Sequence, residues 1–220
     1  MILKGVLFDW DGTLVDSARA CFRCYARALA PSGIPFTEED FARTYSPDGH
    51  YTYAQMGVPE DRFRETDMLW RDAYKSEPTE LLPEAEQSVR RLREEGIPLG
   101  IVTGGDRGRV THELERLRLG RHFQALVCGD DVSFPKPHPE GLKTGLEKLK
   151  LAPAETIYVG DSPEDILMSR SLGVLAIGIP GGFPNRSQLV ASRPDRLFDT
   201  LGEAVDAILA GDVVPLPSRE

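Results

Sequence analysis

The segment Asp9-Trp10-Asp11-Gly12-Thr13 closes a short apolar run, Ile2 to Phe8, so two carboxylates stand two residues apart at the end of an expected buried strand. Such a pair can serve as nucleophile and acid/base, with the backbone bending between them. Taken alone, the motif reads equally well as an Asp-Gly hairpin turn joining Val6-Leu7-Phe8 to Thr13-Leu14-Val15. Three further polar signatures follow later apolar runs. Thr103-Gly104-Gly105-Asp106 offers a hydroxyl and glycine N–H groups at a helix start, suited to donating to a phosphoryl oxygen. Its competing reading is an ordinary helix N-cap at Asp106. Lys136-Pro137-His138-Pro139 fixes one cation between prolines, either to face an anion or simply to stand in solvent. In Gly160-Asp161-Ser162-Pro163-Glu164-Asp165, Asp161 and Asp165 can face one hard cation such as Mg²⁺. Helix capping by Asp161 or Ser162, with Pro163 at the first helical position, is the alternative there.

The elements that carry these signatures decide between the readings. Strand-like runs recur at Ile97 to Val102, Ala125 to Cys128, Thr156 to Val159 and Val174 to Ile177. Helical periodicity lies between them: Ala85, Val89 and Leu92; Val110, Leu114 and Leu117; Leu142, Leu146 and Leu149. Alternation of this kind predicts an α/β fold, a Rossmann-like parallel sheet with helices on both faces. A parallel sheet sends its strand ends to one edge, where ligands of such sheets bind. Nucleophile, hydroxyl, cation and metal-binding carboxylates then converge, which independent caps and turns have no reason to supply in succession.

The stretch between the first two strands breaks the rhythm, since roughly 80 residues stand where a crossover needs about 30. Ser17 to Leu29 reads as a helix capped by Asp16 or Ser17, Thr37-Glu38-Glu39-Asp40 as the start of a second, and Pro59 to Tyr74 as a third. Residues 16–82 are therefore expected to form an inserted all-helical cap domain, and residues 1–15 with 83–220 the sheet domain. Its hinges are expected near Val15-Asp16 and Leu82-Pro83. The tail after Leu209, with Pro215, Pro217 and Ser218, reads as frayed.

Composition narrows the class of partner. The chain has 220 residues, 40% of them hydrophobic and 28% charged, which suits a globular protein rather than a disordered one. No apolar run approaches the roughly 20 residues of a spanning helix, and the first Asp arrives too early for a signal-peptide core. A formal net charge of −9 disfavours generic nucleic-acid binding. Three cysteines, an odd number without a secretion signal, predict reduced thiols and a cytoplasmic location. Cys21 and Cys24 have no second Cys or His pair nearby, so burial is a better reading than zinc or redox chemistry.

In combination and order, Asp9-Trp10-Asp11-Gly12-Thr13-Leu14-Val15, Thr103, Lys136-Pro137 and Gly160-Asp161 with Asp165 resemble the four motifs of phosphatases in the haloacid dehalogenase superfamily. The resemblance spans residues 5 to 165. The position of the helical insert resembles the phosphoglycolate phosphatase branch. It implies that Asp9 attacks phosphorus to form an aspartyl phosphate, and that Asp11 protonates the leaving oxygen and later activates water. It implies further that Thr103, Gly104 and Lys136 hold the phosphoryl group. Mg²⁺ is implied on Asp9, the Asp11 carbonyl and Asp161, with Asp165 a direct or outer-shell partner. The substrate so implied is a small phosphorylated metabolite.

Two residues depart from that pattern: Trp10 stands where a smaller apolar residue is expected, and Gly105 follows Gly104 where relatives often carry another residue. Neither removes a reacting group. Within the insert, Arg43 and His50 are candidates for contacting an acidic or hydroxylated leaving group, against a plain reading as helix end and aromatic packing. A dehalogenase is disfavoured by Asp11, and a phosphonate hydrolase by the far placement of Lys75, the sole lysine of the insert. A β-phosphoglucomutase-like phosphotransferase uses both aspartates as well. A non-enzymatic phospho-aspartate signalling domain shares the Asp, Thr and Lys, but the adjacent acid/base and large cap favour turnover over storage.

Overall fold

The computed structural model describes residues 3–213; Met1 and Ile2, at the expected start of the first strand, and the proline-containing tail with Pro215, Pro217 and Ser218 lie outside them. Two compact units emerge. Among the described residues, one comprises residues 3–16, 80–181 and 186–213, and the other Ser17–Thr79 with Gly182–Asn185.

In chain order, the strands are β1 (Gly5–Phe8), β2 (Val15–Asp16), β3 (Glu80–Leu81), β4 (Leu99–Val102), β5 (Ala125–Val127), β6 (Thr156–Gly160), β7 (Leu175–Gly178) and β8 (Arg196–Leu197). The helices are α1 (Ala18–Leu29), α2 (Glu38–Thr44), α3 (Gly49–Gln55), α4 (Phe63–Tyr74), α5 (Ala85–Glu94), α6 (Arg107–Arg116), α7 (Glu140–Leu149), α8 (Pro163–Leu172), α9 (Arg186–Ala191) and α10 (Leu201–Ala210). Among the described residues, no helix is long and apolar enough to cross a membrane.

Six strands form one sheet in the order β5-β4-β1-β6-β7-β8, and every adjacent pair is parallel. Side chains on neighbouring positions of a strand point to opposite faces, and the sheet buries both. Val6 and Phe8 of β1 join Val89, Leu92, Val110, Leu114 and Val205 in one apolar layer. Leu7, between them, belongs to the other, with Leu142, Leu146 and Met168. Ile157, Tyr158 and Val159 divide the same way on β6. This two-sided burial is why the strands read as continuous apolar runs. The chain turns from β1 to β4 on one side and reaches β6 on the other. The ends of β4, β1 and β6 therefore lie side by side, at the point where such sheets hold ligands.

The sheet unit closes with a two-stranded antiparallel ladder, Val15 against Leu81 and Asp16 against Glu80, which places the chain's departure and return together. The return falls at Glu80, a little ahead of the Leu82-Pro83 hinge expected from sequence.

In the helical unit, α1 packs against α4. Cys21, Tyr25 and Leu29 present one stripe of α1 to a cluster that also holds Phe36, Phe41 and Tyr53. Glu77, its side chain 2% exposed, pairs with Arg23 and Arg27 of α1 at 2.6 and 2.9 Å. Thr37 and Asp40 form the expected capping box at the start of α2. Ser17 stands at the N-cap of α1 without a side-chain cap bond. Pro59 to Tyr74 is not one helix: a 3-10 turn at Glu60–Arg62 precedes α4. His50 lies in the first turn of α3, whose Asp48 cap accepts from the His50 N–H at 3.0 Å.

Residues 182–185 were expected with the sheet domain but group with the helices. The physical reason is Phe183, which is buried and stacks on Tyr45 at 4.6 Å, with Phe41 at 6.5 Å. Phe183→Ala is expected to cost about 3–5 kcal/mol by leaving a ring-sized gap. A urea melt that matches the wild type would show that the ring contributes nothing.

Candidate active site

Asp9 is the first residue beyond β1, and its N–H donates to the Val159 carbonyl at 2.9 Å, tying the strand end to β6. Lys136 reaches it from the loop after β5, with Nζ 2.9 Å from Asp9 Oδ1. The same ammonium lies 2.8 Å from Asp165 Oδ1 and donates to the Tyr158 hydroxyl at 2.8 Å. Two of its three protons serve Asp165 and the Tyr158 hydroxyl, while Asp9 Oδ1 is held beside it as an ion pair. The Tyr158 hydroxyl donates in turn to the Val102 carbonyl at 2.7 Å, anchoring the cation to the floor of the sheet.

Asp165 sits at the third position of α8 and is fully buried. Its Oδ2 accepts from the Ser162 hydroxyl at 2.7 Å and the Ser162 N–H at 3.2 Å, completing a capping box, while Oδ1 faces Lys136 and Tyr158. Ser162 takes the cap, leaving Asp161 at the strand tip. Gly160 is required here, because a Cβ would fall 2.5 Å from Asp165 Cγ.

Burial dominates the electrostatics. It pushes Asp9 from 3.8 up to about 7, with Lys136 pulling the other way and Asp165 and Asp11 adding repulsion. Asp161 is likewise held well above the usual carboxylate range, first by burial and then by Asp9 and Asp165. Burial opposes the charge on Lys136, yet Asp165 and Asp9 outweigh it and the pKa is raised. Carboxylate oxygens of Asp9, Asp161 and Asp165 come within 4.8 Å of one another, all three residues buried. An all-oxygen set with this excess of negative charge fits a hard divalent cation.

Thr103 follows β4 and is buried, with Oγ1 accepting from the Gly105 N–H at 3.1 Å, so its own proton remains to be donated. Gly104 is exposed beside it. Asp106 caps α6 by accepting from the Arg109 N–H at 2.9 Å, so capping and the Thr103 position coexist on one loop.

Asp11, whose charge is felt by Asp9 and Asp161, is held by Arg109. Arg109 Nη1 donates to its Oδ1 at 3.0 Å and Nη2 to its Oδ2 at 2.5 Å. Arg109 and Tyr158 escaped the sequence reading. Tyr158 looks like strand filling, and Arg109 with Glu113 looks like a solvated i,i+4 pair. The two insert candidates lie within the helical unit. Arg43 pairs with Asp40 at 2.8 Å, and the His50 ring packs on Phe63 at 5.2 Å.

A parallel sheet with this acidic, lysine-bearing edge defines a class of protein, the Rossmann-like α/β hydrolases with an inserted helical unit. More particularly, residues 6–179 match the haloacid dehalogenase-like hydrolases, and the chain belongs to that family. The phosphoglycolate phosphatase of Escherichia coli K12 is 30% identical, covering 94% of this chain and 92% of its own. That of Yersinia pseudotuberculosis is also 30% identical, covering 94% and 93%. Among solved structures, a haloacid dehalogenase-like family hydrolase from Streptococcus pneumoniae shares the fold at a TM-score of 0.82 and 24% identity, covering 94% of this chain and 98% of that one. CbbY from Rhodobacter sphaeroides, solved in complex with phosphate, shares it at 0.76 and 19%, covering 91% and 96%. The chain is thus an enzyme of a hydrolase family, and its sequence similarity runs to the phosphatases within it.

Proposed function

We propose that the protein is a Mg²⁺-dependent phosphatase that hydrolyses a small phosphate monoester, of the phosphoglycolate kind, through a phosphoryl group carried on Asp9. The observation that carries this reading is the buried meeting of Asp9 with Lys136 and with the Asp161 and Asp165 carboxylates. Similarity to the phosphoglycolate phosphatases supports it independently.

Asp9 attacks phosphorus in line, and the ester oxygen leaves as an alcohol with the proton of Asp11. Asp11, now a carboxylate, takes a proton from water as the water attacks the acyl phosphate; inorganic phosphate departs and the Asp9 carboxylate returns. Thr103 and the N–H groups at Gly104 donate to phosphoryl oxygens. Once Asp9 is phosphorylated its carboxylate charge is lost, so the Lys136 ammonium beside it can follow the phosphoryl group. Asp9, the Asp11 carbonyl and Asp161 would hold the cation, which neutralises the phosphate dianion against these carboxylates. Asp165 already spends both oxygens on Ser162, Lys136 and Tyr158, and acts as an outer support.

The test is phosphate release from phosphoglycolate, sugar phosphates, nucleotides and pyrophosphate, each with Mg²⁺ or EDTA. Release in Mg²⁺ that stops in EDTA is the expected result. A folded protein releasing nothing from any of them would end the proposal, and phosphoryl transfer between sugar phosphates without release would replace it with a mutase.

Substrate choice is assigned to the helical unit, through Arg43 and His50. Replacing Arg43 by Ala is expected to raise KM for an acidic ester about tenfold, the equivalent of one charge-assisted hydrogen bond. The kcat should hardly change, and His50→Ala should act in the same direction. Steady-state kinetics that show kcat falling with KM constant would remove both residues from substrate binding.

A further inference from the structure

Trp10 and Gly105, the two departures from the family's motifs, meet at one side chain. The Trp10 indole N–H, fully buried, donates to Glu113 Oε2 at 2.8 Å. The same oxygen accepts from Arg109 Nη1 at 3.0 Å. Arg109 then closes a two-pronged fork on Asp11. A Cβ on Gly105 would lie 2.2 Å from Arg109 Nη2 and 3.1 Å from Cζ, so the absent side chain is the space the guanidinium occupies.

We propose that Arg109 is the positioning residue for Asp11, itself held by Glu113 and Trp10 in the gap at Gly105. The inference rests on the proposed phosphatase reading, in which Asp11 handles protons. An aspartate beside a strand end has several χ1 wells and a broad χ2. A planar guanidinium gripping both oxygens selects one orientation of the carboxylate, which a point charge such as lysine does not do. One prong opens when Asp11 takes up the proton it delivers to the leaving oxygen. Arg109 would drift unless it were fixed in turn. Glu113, with its side chain 5% exposed and its carboxylate oriented by the indole, fixes it. Side-chain exposure falls from 25% at Asp11 to 14% at Arg109, so the fork runs inward from a reachable carboxylate to a buried anchor. The chain contacts link β1's end to α6 across 98 residues, which is why neither motif alone announces them.

The experiment is a double-mutant cycle on the full chain with Mg²⁺ and the best ester of the panel. Arg109→Leu is expected to lower kcat about 100-fold, the usual effect of misplacing a reacting group, with KM changed by less than about threefold. In the Asp11→Asn background the same substitution should cost less than about threefold, because its target is already gone. Arg109→Lys, which keeps the charge and the fold, should recover about tenfold of the loss. Gly105→Ala should lower kcat in the same direction by displacing the guanidinium. An equal loss in both backgrounds, or no loss from Arg109→Leu in an enzyme that Asp9→Asn inactivates, overturns the inference and leaves the phosphatase reading standing. A wild type inert toward every ester overturns both.

Discussion

Asp9→Asn is expected to abolish ester turnover, by on the order of 10⁴-fold or more, while the protein folds at least as well as the wild type. The two halves of that result have one cause. Asp9 is a carboxylate that burial resists ionising, held beside Asp165 and Asp161 with Lys136 as its partner. Asparagine has nearly the same shape and carries no charge, so it relieves the repulsion that the active carboxylate must endure. It also cannot form an acyl phosphate. Lys136 loses one anionic partner but keeps Asp165 at 2.8 Å and the Tyr158 hydroxyl at 2.8 Å, so it is not stranded. Phosphate release and thermal melting of the two proteins, measured without Mg²⁺ for the melts, provide the check. Intact-mass analysis after acid quench should find a phosphoryl adduct on the wild type only. Appreciable turnover by the variant would place the nucleophile elsewhere. A large drop in melting temperature would show instead that the Asp9–Lys136 pair holds the edge of the sheet together.

Part of the polar edge of this sheet could be read from sequence because three of the candidate residues follow their strands directly. Asp9 follows β1, Thr103 follows β4 and Asp161 follows β6, and continuous apolar runs mark all three strands. What periodicity could not reveal is contact between residues far apart in the chain. Tyr158 sits among Ile157 and Val159 and looks like one more apolar position, although its hydroxyl anchors Lys136 from the neighbouring loop. Arg109 and Glu113 have the spacing of a surface pair, and only the fold brings Asp11 and Trp10 to them. Phe183 lies in a Gly-Gly-Phe-Pro stretch that reads as a loop, and its burial depends on Tyr45. The strand β8 has only two residues, Arg196 and Leu197, too short for any alternation to register. Local signals therefore positioned the ends of long elements well. They failed where one side chain decides the matter from a distance.

The second large effect concerns pH and the cation together. With its folded pKa raised to about 7 from 3.8, Asp9 retains in the native state a proton that the unfolded chain has already released. Its contribution to stability is therefore fully present below about pH 4 and is lost as pH rises through about 7. Asp161 is shifted in the same direction and adds to the trend. For Asp9 alone the difference is at most on the order of 4 kcal/mol. The metal-depleted protein should accordingly melt at a lower temperature at pH 8 than at pH 5. Mg²⁺ reverses this by taking the place of the protons, since carboxylate ligands bind it in their ionised form. At 100 times its dissociation constant it stabilises by about 2.7 kcal/mol. Its gain in melting temperature should be several degrees at pH 8 and near zero at pH 5. Calorimetric scans with EDTA or Mg²⁺ at the two pH values make the comparison, with Asp161→Asn as the variant expected to lose the gain. Equal Mg²⁺ gains at both pH values would mean that the ion binds elsewhere, and a metal-depleted protein more stable at pH 8 would mean that the buried carboxylates are ionised without it.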